Sequence, residues 1–168
     1  MSSISACIPY YNNKNTIQKV VQSILSQEVS VQEIIIYNDG STEKPDRYID
    51  SKLVRVINNT KNNGRGYVRH TLCNEAKSEF ILFCDDDIYE KNFLEELNKL
   101  CDRYKKVNLF HSRVKIINED DAIIKYAPSC PDYESGINFI WHKLCGFRLH
   151  FVPDFLCRTE ALRKIGGF

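Results

Sequence analysis

Nowhere in the 168 residues is there an apolar run approaching the roughly 18 residues that a membrane-crossing helix needs. The polar start MSSISACIPYYNN also lacks the basic segment and apolar stretch of a secretory signal. Charge of one sign is missing too: 23 basic against 22 acidic residues leave a formal charge of +1, and no basic cluster is interleaved with aromatics. Nucleic acid is therefore not an expected partner. The seven cysteines, Cys7, Cys73, Cys84, Cys101, Cys130, Cys145 and Cys157, are odd in number and contain no C-x-x-C pair. Neither a closed disulfide framework nor a zinc site is indicated, and the expected location is the cytoplasm. His70, His111, His142 and His150 lie in separate segments without metal-ligand spacing and read as structural histidines. Gly64 and Gly66 are not followed by the Gly-Lys-Ser/Thr ending of a phosphate loop.

What is there is an ordinary domain, 43% hydrophobic and 27% charged, long enough to bury one core. ISACI (4–8) is a short apolar run that Pro9 should stop. Residues 16–27 place Ile17, Val20, Val21, Ile24 and Leu25 on one helical stripe, with Asn13 or Asn15 available as a cap. EIIIY (33–37) and VRVIN (54–58) are β-rich runs followed by the turn chemistry NDGS and NNTKNNG. A helix should follow Gly64 through Ala76, FILFC (80–84) is a fourth strand, and residues 92–104 carry another apolar stripe. NLFHSRVKII and AIIKYA, around the turn NEDD, read as a hairpin at the sheet edge. Strands alternating with helices predict a mostly parallel α/β sheet that binds ligands at the carboxyl ends of its strands.

One such end is unusual. FILFC runs directly into Asp85, Asp86 and Asp87. Two unit charges about 4 Å apart repel by roughly 4 kcal/mol at an effective dielectric near 20, so a positive group is expected beside them. The plain alternative is a solvated loop or a helix-capping acid.

Six motifs follow in order along the chain: IPYYN (8–12), SILSQ (23–27), NDGST (38–42), NNG (62–64) with Gly66, Val68, Arg69 and His70, then FILFCDDD, and LRKIGGF (162–168). Taken together, they resemble glycosyltransferase family 2, the GT-A type of nucleotide-sugar transferase. These stand in the family's order over nearly the whole chain, with Asn38 in place of a first acid and His70 departing from a second motif. The resemblance implies a Rossmann-like GT-A domain over residues 1–168, with a nucleotide-sugar half (1–105) and a partial acceptor half (106–168) containing the hairpin. It implies transfer of a sugar from a nucleotide diphosphate, UDP favoured, to a glycan or other hydroxyl acceptor, with inversion.

By the same resemblance Asp39 accepts a hydrogen bond from the base; the alternative is an Asp-Gly turn bonding its own backbone. Pro9 and Tyr11 form the opposite wall, although Tyr11 reads equally as a core aromatic. Gly64 and Arg69 line the donor, Arg69 reaching the diphosphate or base edge unless it is a solvated surface arginine. Mn²⁺ or Mg²⁺ would be held by Asp87 and approached by Asp85, while Asp86 joins the water shell or points away. The acidic base that would activate the acceptor is expected beyond Phe168, since Asp154 and Glu160 are the nearest acids and carry no signature. Any association with a membrane surface would come through regions outside this sequence. Two other readings are a non-catalytic nucleotide-sugar-binding fragment and a haloacid-dehalogenase-like phosphohydrolase, whose Asp-x-Asp normally follows the first strand.

Overall fold

A computed structural model describes residues 2–45, 49, 51–118, 120, 122–127, 131–145 and 155–168. Cys130, His150 and Asp154 lie outside the described residues, as does the side chain of His142. Along the chain run β1 (Ile4–Tyr10), α1 (Lys14–Leu25), β2 (Glu33–Asp39), β3 (Val54–Asn59), α2 (Arg65–Glu75), β4 (Phe80–Phe83) and α3 (Phe93–Arg103). Then come β5 (Leu109–His111), β6 (Lys115–Ile117), β7 (Ile123–Tyr126), α4 (Gly136–Leu144), β8 (Phe155–Arg158) and α5 (Thr159–Lys164). The chain divides into two compact units, Met1–Phe110 with Asp154–Phe168, and His111–Pro153.

The first unit is built on a six-stranded sheet in the order β3-β2-β1-β4-β8-β5. β1, β2, β3 and β4 pair in parallel, and β8 joins β4 antiparallel. Both faces of the sheet are covered, which explains why EIII is a continuous apolar run rather than an alternating one. Ile34 and Ile36 enter a core with Ile17, Val20, Val21 and Ile24 of α1 and Leu94, Leu97 and Cys101 of α3. Ile35 and Tyr37 point the other way, into a second core with Val68, Leu72 and Cys73 of α2. Each such fully buried aliphatic side chain contributes about 1.5–3 kcal/mol.

Three expectations need correction. β1 does not stop before Pro9 but continues through it to Tyr10, with Pro9 in register with Tyr37. Proline is tolerated in this central strand because alternate residues of β1 face alternate neighbours. The carbonyl of Cys7 faces β4, accepting from the Cys84 N–H at 2.9 Å. Pro9 therefore also faces the β4 side, and that pairing ends at Cys7 and Phe83, where no donor is needed. Secondly, Asn13 occupies the N-cap position of α1 without a side-chain cap bond. Thirdly, NLFHSRVKII is not one strand: β5 joins the six-stranded sheet, while β6 pairs with β7 as a separate two-stranded sheet in the second unit. In that unit Arg113 stacks over the Tyr126 ring at 5.0 Å and donates to the carbonyl of Ala127 at 2.8 Å. Among the described residues no helix is long and apolar enough to cross a membrane.

Candidate active site

The strand order β2-β1-β4 sets three carboxyl ends side by side: Asp39 closes β2, Tyr10 closes β1, and Asp85, Asp86 and Asp87 follow β4. Asn38, where the family pattern has an acid, is buried and donates from Nδ2 to Asn58 Oδ1 at 2.8 Å. Its Oδ1 accepts from the Ser41 N–H at 3.0 Å. The amide thus bridges the end of β3 and the turn after β2, and a carboxylate there would lack the donor that Asn58 receives.

Asp39 is 4% exposed. It does not bond its own turn: Oδ1 accepts from the Asn63 N–H and Oδ2 from the Gly64 N–H, each at 2.9 Å. Gly40, at φ +77°, lets the 61–62 backbone pass so close that a Cβ there would lie 2.7 Å from the Lys61 carbonyl carbon. Gly64, at φ +86°, turns the chain into α2. Asp39 therefore holds the β3–α2 loop, and two charge-assisted bonds from consecutive amides make that grip firm.

The β1–α1 loop lies against the turn after β2. Tyr10 is buried and its hydroxyl donates to the carbonyl of Glu43 at 3.2 Å. Asn12, at φ +50°, donates from its amide to Ser41 Oγ and accepts at Oδ1 from the Thr42 N–H. Tyr11 is not a core aromatic: it stands 53% exposed. Pro9 is half-buried beside it.

Arg69 is not a solvated surface arginine. Its Nη2 donates to both Asp85 oxygens at 2.9 Å, and the two side chains are only 16% and 18% exposed. Its Nε is buried without a partner. The structure thus brings together two residues that sequence reasoning kept apart. Asp86 is exposed and Asp87 half-buried. Burial first, then the charges of Asp86 and Asp85, pushes the Asp87 carboxyl above its ordinary value. Among the described residues no three His, Cys, Asp or Glu side chains converge on a cation site. The donor set of hard carboxylate oxygens with an unfavourable clustering of charge fits a cation of the Mg²⁺ or Mn²⁺ kind, which takes one or two carboxylates and draws the rest from water and phosphate.

Gln27 and Ser23, whose motif carried no assigned role in the sequence, clasp the far side of this loop. Gln27 Nε2 donates to the carbonyls of Ser23 at 2.9 Å and Glu90 at 2.8 Å, and its Oε1 accepts from the Leu94 N–H at 3.0 Å. Ser23 Oγ accepts from the Tyr89 N–H at 3.2 Å. A signal was present: Gln27 continues the apolar stripe of α1 at i+3 from Ile24, a core-facing place where a polar side chain needs partners.

On the same edge, Phe168 packs its ring 5.2 Å from Phe83, and Gly167, at φ +79°, lies where a Cβ would meet His70 Nδ1 at 2.8 Å. Glu160 is exposed in the first turn of α5, with no partner marking it as a base.

The profile of "Glycosyl transferase family 2" matches residues 5–165. Among curated relatives, the Escherichia coli UDP-Glc:alpha-D-GlcNAc-diphosphoundecaprenol beta-1,3-glucosyltransferase WfaP is 36% identical over 93 residues, 53% of this chain and 37% of that protein. Staphylococcus aureus TarS 1–349 in complex with UDP-GlcNAc superposes with a TM-score of 0.75 at 20% identity, covering 97% of this chain and 47% of the 1–349 fragment. The mannosyltransferase PcManGT from Pyrobaculum calidifontis, in complex with GDP-Man and Mn²⁺, gives a TM-score of 0.67 at 14% identity over 99% of this chain and 47% of its own. Matches to the curated relatives cover between 13% and 55% of their length. The fold is GT-A, the phosphohydrolase alternative is set aside, and the chain belongs to glycosyl transferase family 2.

Proposed function

We propose that this chain binds the donor of a metal-dependent transfer in which a sugar passes from a UDP-sugar to a hydroxyl acceptor with inversion, in glycan or polysaccharide synthesis. The observation that carries the reading is the placement of Asp39 and the acidic run at the carboxyl ends of β2 and β4, with the exposed Tyr11 after β1 between them. Support comes from relatives: TarS was solved with UDP-GlcNAc, WfaP is named for UDP-Glc, and PcManGT was solved with GDP-Man and Mn²⁺.

Each Asp39 oxygen already accepts one backbone amide and has a further lone pair, which the N3–H of uracil would use. Tyr11 and Pro9 flank the base, and Gly64, bonded through its N–H to Asp39, turns the loop into α2 beside it. Asp87 would hold the cation. Such a cation would supply positive charge to the diphosphate leaving group. Arg69 acts here through Asp85 rather than on the donor.

Calorimetry with UDP, GDP, CDP and dTDP, each with and without Mn²⁺, tests the reading. UDP should bind most tightly, and only with metal should the diphosphate add affinity over uridine. Asp39→Ala should weaken uridine with or without Mn²⁺. Equal UDP affinity in chelator and in Mn²⁺ would contradict the metal assignment, and a preference for GDP or CDP would contradict the donor.

A further inference from the structure

We propose that Arg69 and Gln27 are positioning residues that anchor the acidic loop at its two ends, so that Asp87 is the carboxylate offered to a divalent cation while Asp85 stays committed to Arg69. This rests on the donor-and-metal reading above.

The first anchor is the Arg69–Asp85 pair, in which one nitrogen, Nη2, contacts both carboxylate oxygens at 2.9 Å. A cation that took Asp85 would leave Arg69 uncompensated in a largely enclosed position, and its sealed Nε could not recover the loss from water. The second anchor begins two residues past Asp87. Tyr89 is held by its amide, Glu90 by its carbonyl and Leu94 by its amide, from Ser23 on α1 and Gln27 just past its end. Asp87 stands between the anchors, half-buried, with exposed Asp86 and Ile88 on either side. The three carboxylates therefore divide: one is neutralised by the protein, one faces solvent, and one is presented by a loop that cannot drift at either end. Outer groups that orient a ligand in this way are worth about 10- to 100-fold in metal affinity.

The use of a single nitrogen separates this role from direct recognition of the donor. Bidentate recognition of a base edge or of two phosphate oxygens uses the guanidinium fork, whereas an ammonium can reproduce a one-nitrogen contact. The test measures Mn²⁺ alone, by the paramagnetic signal of free Mn²⁺, and uridine alone, by calorimetry, on the 168-residue chain. Asp87→Asn should abolish Mn²⁺ binding. Arg69→Lys should keep it within about threefold, while Arg69→Met and Gln27→Met should each weaken it about tenfold with uridine affinity unchanged. Asp85→Arg should weaken Mn²⁺, and adding Arg69→Asp to it should restore part of the loss by reversing the pair.

The proposal is overturned if Arg69→Lys behaves like Arg69→Met, if the reversed pair binds Mn²⁺ no better than Asp85→Arg alone, or if Gln27→Met lowers uridine and Mn²⁺ affinity in step. Should Arg69→Met fail to fold by circular dichroism, the lysine variant and the reversed pair decide. An unaltered chain that binds UDP but never Mn²⁺ removes the metal reading itself, a result distinct from any of these.

Discussion

Gly40 shows how much one hydrogen in place of a methyl can matter. Its φ of +77° is strained for any L side chain, and the contact that a Cβ would meet is backbone, which cannot swing aside. Gly40→Ala should cost about 1–3 kcal/mol, read as a lower urea midpoint at unchanged slope; an unaltered midpoint would mean that the 61–62 segment is free to move. The thiols make a second residue-scale prediction. Burial pushes Cys157 up to about 12 and Cys101 up to about 11 from an ordinary 9.0, and raises Cys7 as well. The folded protein keeps these protons at a pH where the unfolded chain has lost them. Stability is thus full below pH 9 and falls as pH climbs from there toward 11 and 12, which melting curves across that range should record. Cys145 is exposed and should react with a thiol reagent at once, whereas Cys7, Cys73, Cys84, Cys101 and Cys157 should wait for unfolding.

At the scale of elements, α2 reaches from the donor loop to the acidic run, and α5 finishes it. Arg163 donates four hydrogen bonds to the last carbonyls of α2: from Nε and Nη2 to Cys73, and from Nη2 to Asn74 and Ala76. Those are carbonyls that a helix end leaves without intrahelical partners. Arg163→Met should cost about 1–2 kcal/mol and speed amide exchange in the last turn of α2 first; uniform exchange would deny the cap. The elements up to Arg103 were legible in the sequence because the helices bury a periodic face and the strands are short apolar runs closed by turn or acidic residues. The last strand was not. FLCR has no alternation of its own and becomes β8 only because β4 offers it an open edge, through pairs such as Leu82 with Leu156. The site divides in the same way. Asp39 and the acidic run stand at the ends of legible strands. The Arg69–Asp85 pair joins residues 16 apart, and Gln27 grips loop backbone 63 positions away and the first turn of α3 67 positions away, contacts that no local pattern announces.

Over the whole molecule, burial is unevenly shared. The second unit exposes Ile137, Ile140, Trp141 and Leu144, the i, i+3, i+4 and i+7 face of α4, together with Ile123, Ile124 and Tyr126 of β7. Trp141 is the single tryptophan and is 64% exposed. Its emission should resemble that of tryptophan in water, be quenched by acrylamide, and change little on unfolding in urea. A blue-shifted, protected emission would show that this face is covered in solution.

The late arrival of β8 also governs the order of events on a ribosome. β4 is synthesised early, yet the strand that completes its outer side comes far later: Arg158, at the end of β8, pairs with Glu79 across 79 positions. For all of that synthesis time the nascent sheet carries a bare, wholly apolar edge of the kind that recruits other strands. Chaperone demand should therefore peak in the interval between emergence of β4 and emergence of β8, and ribosome-arrested chains that end before Phe155 should aggregate on release, while those that include β8 and α5 should not.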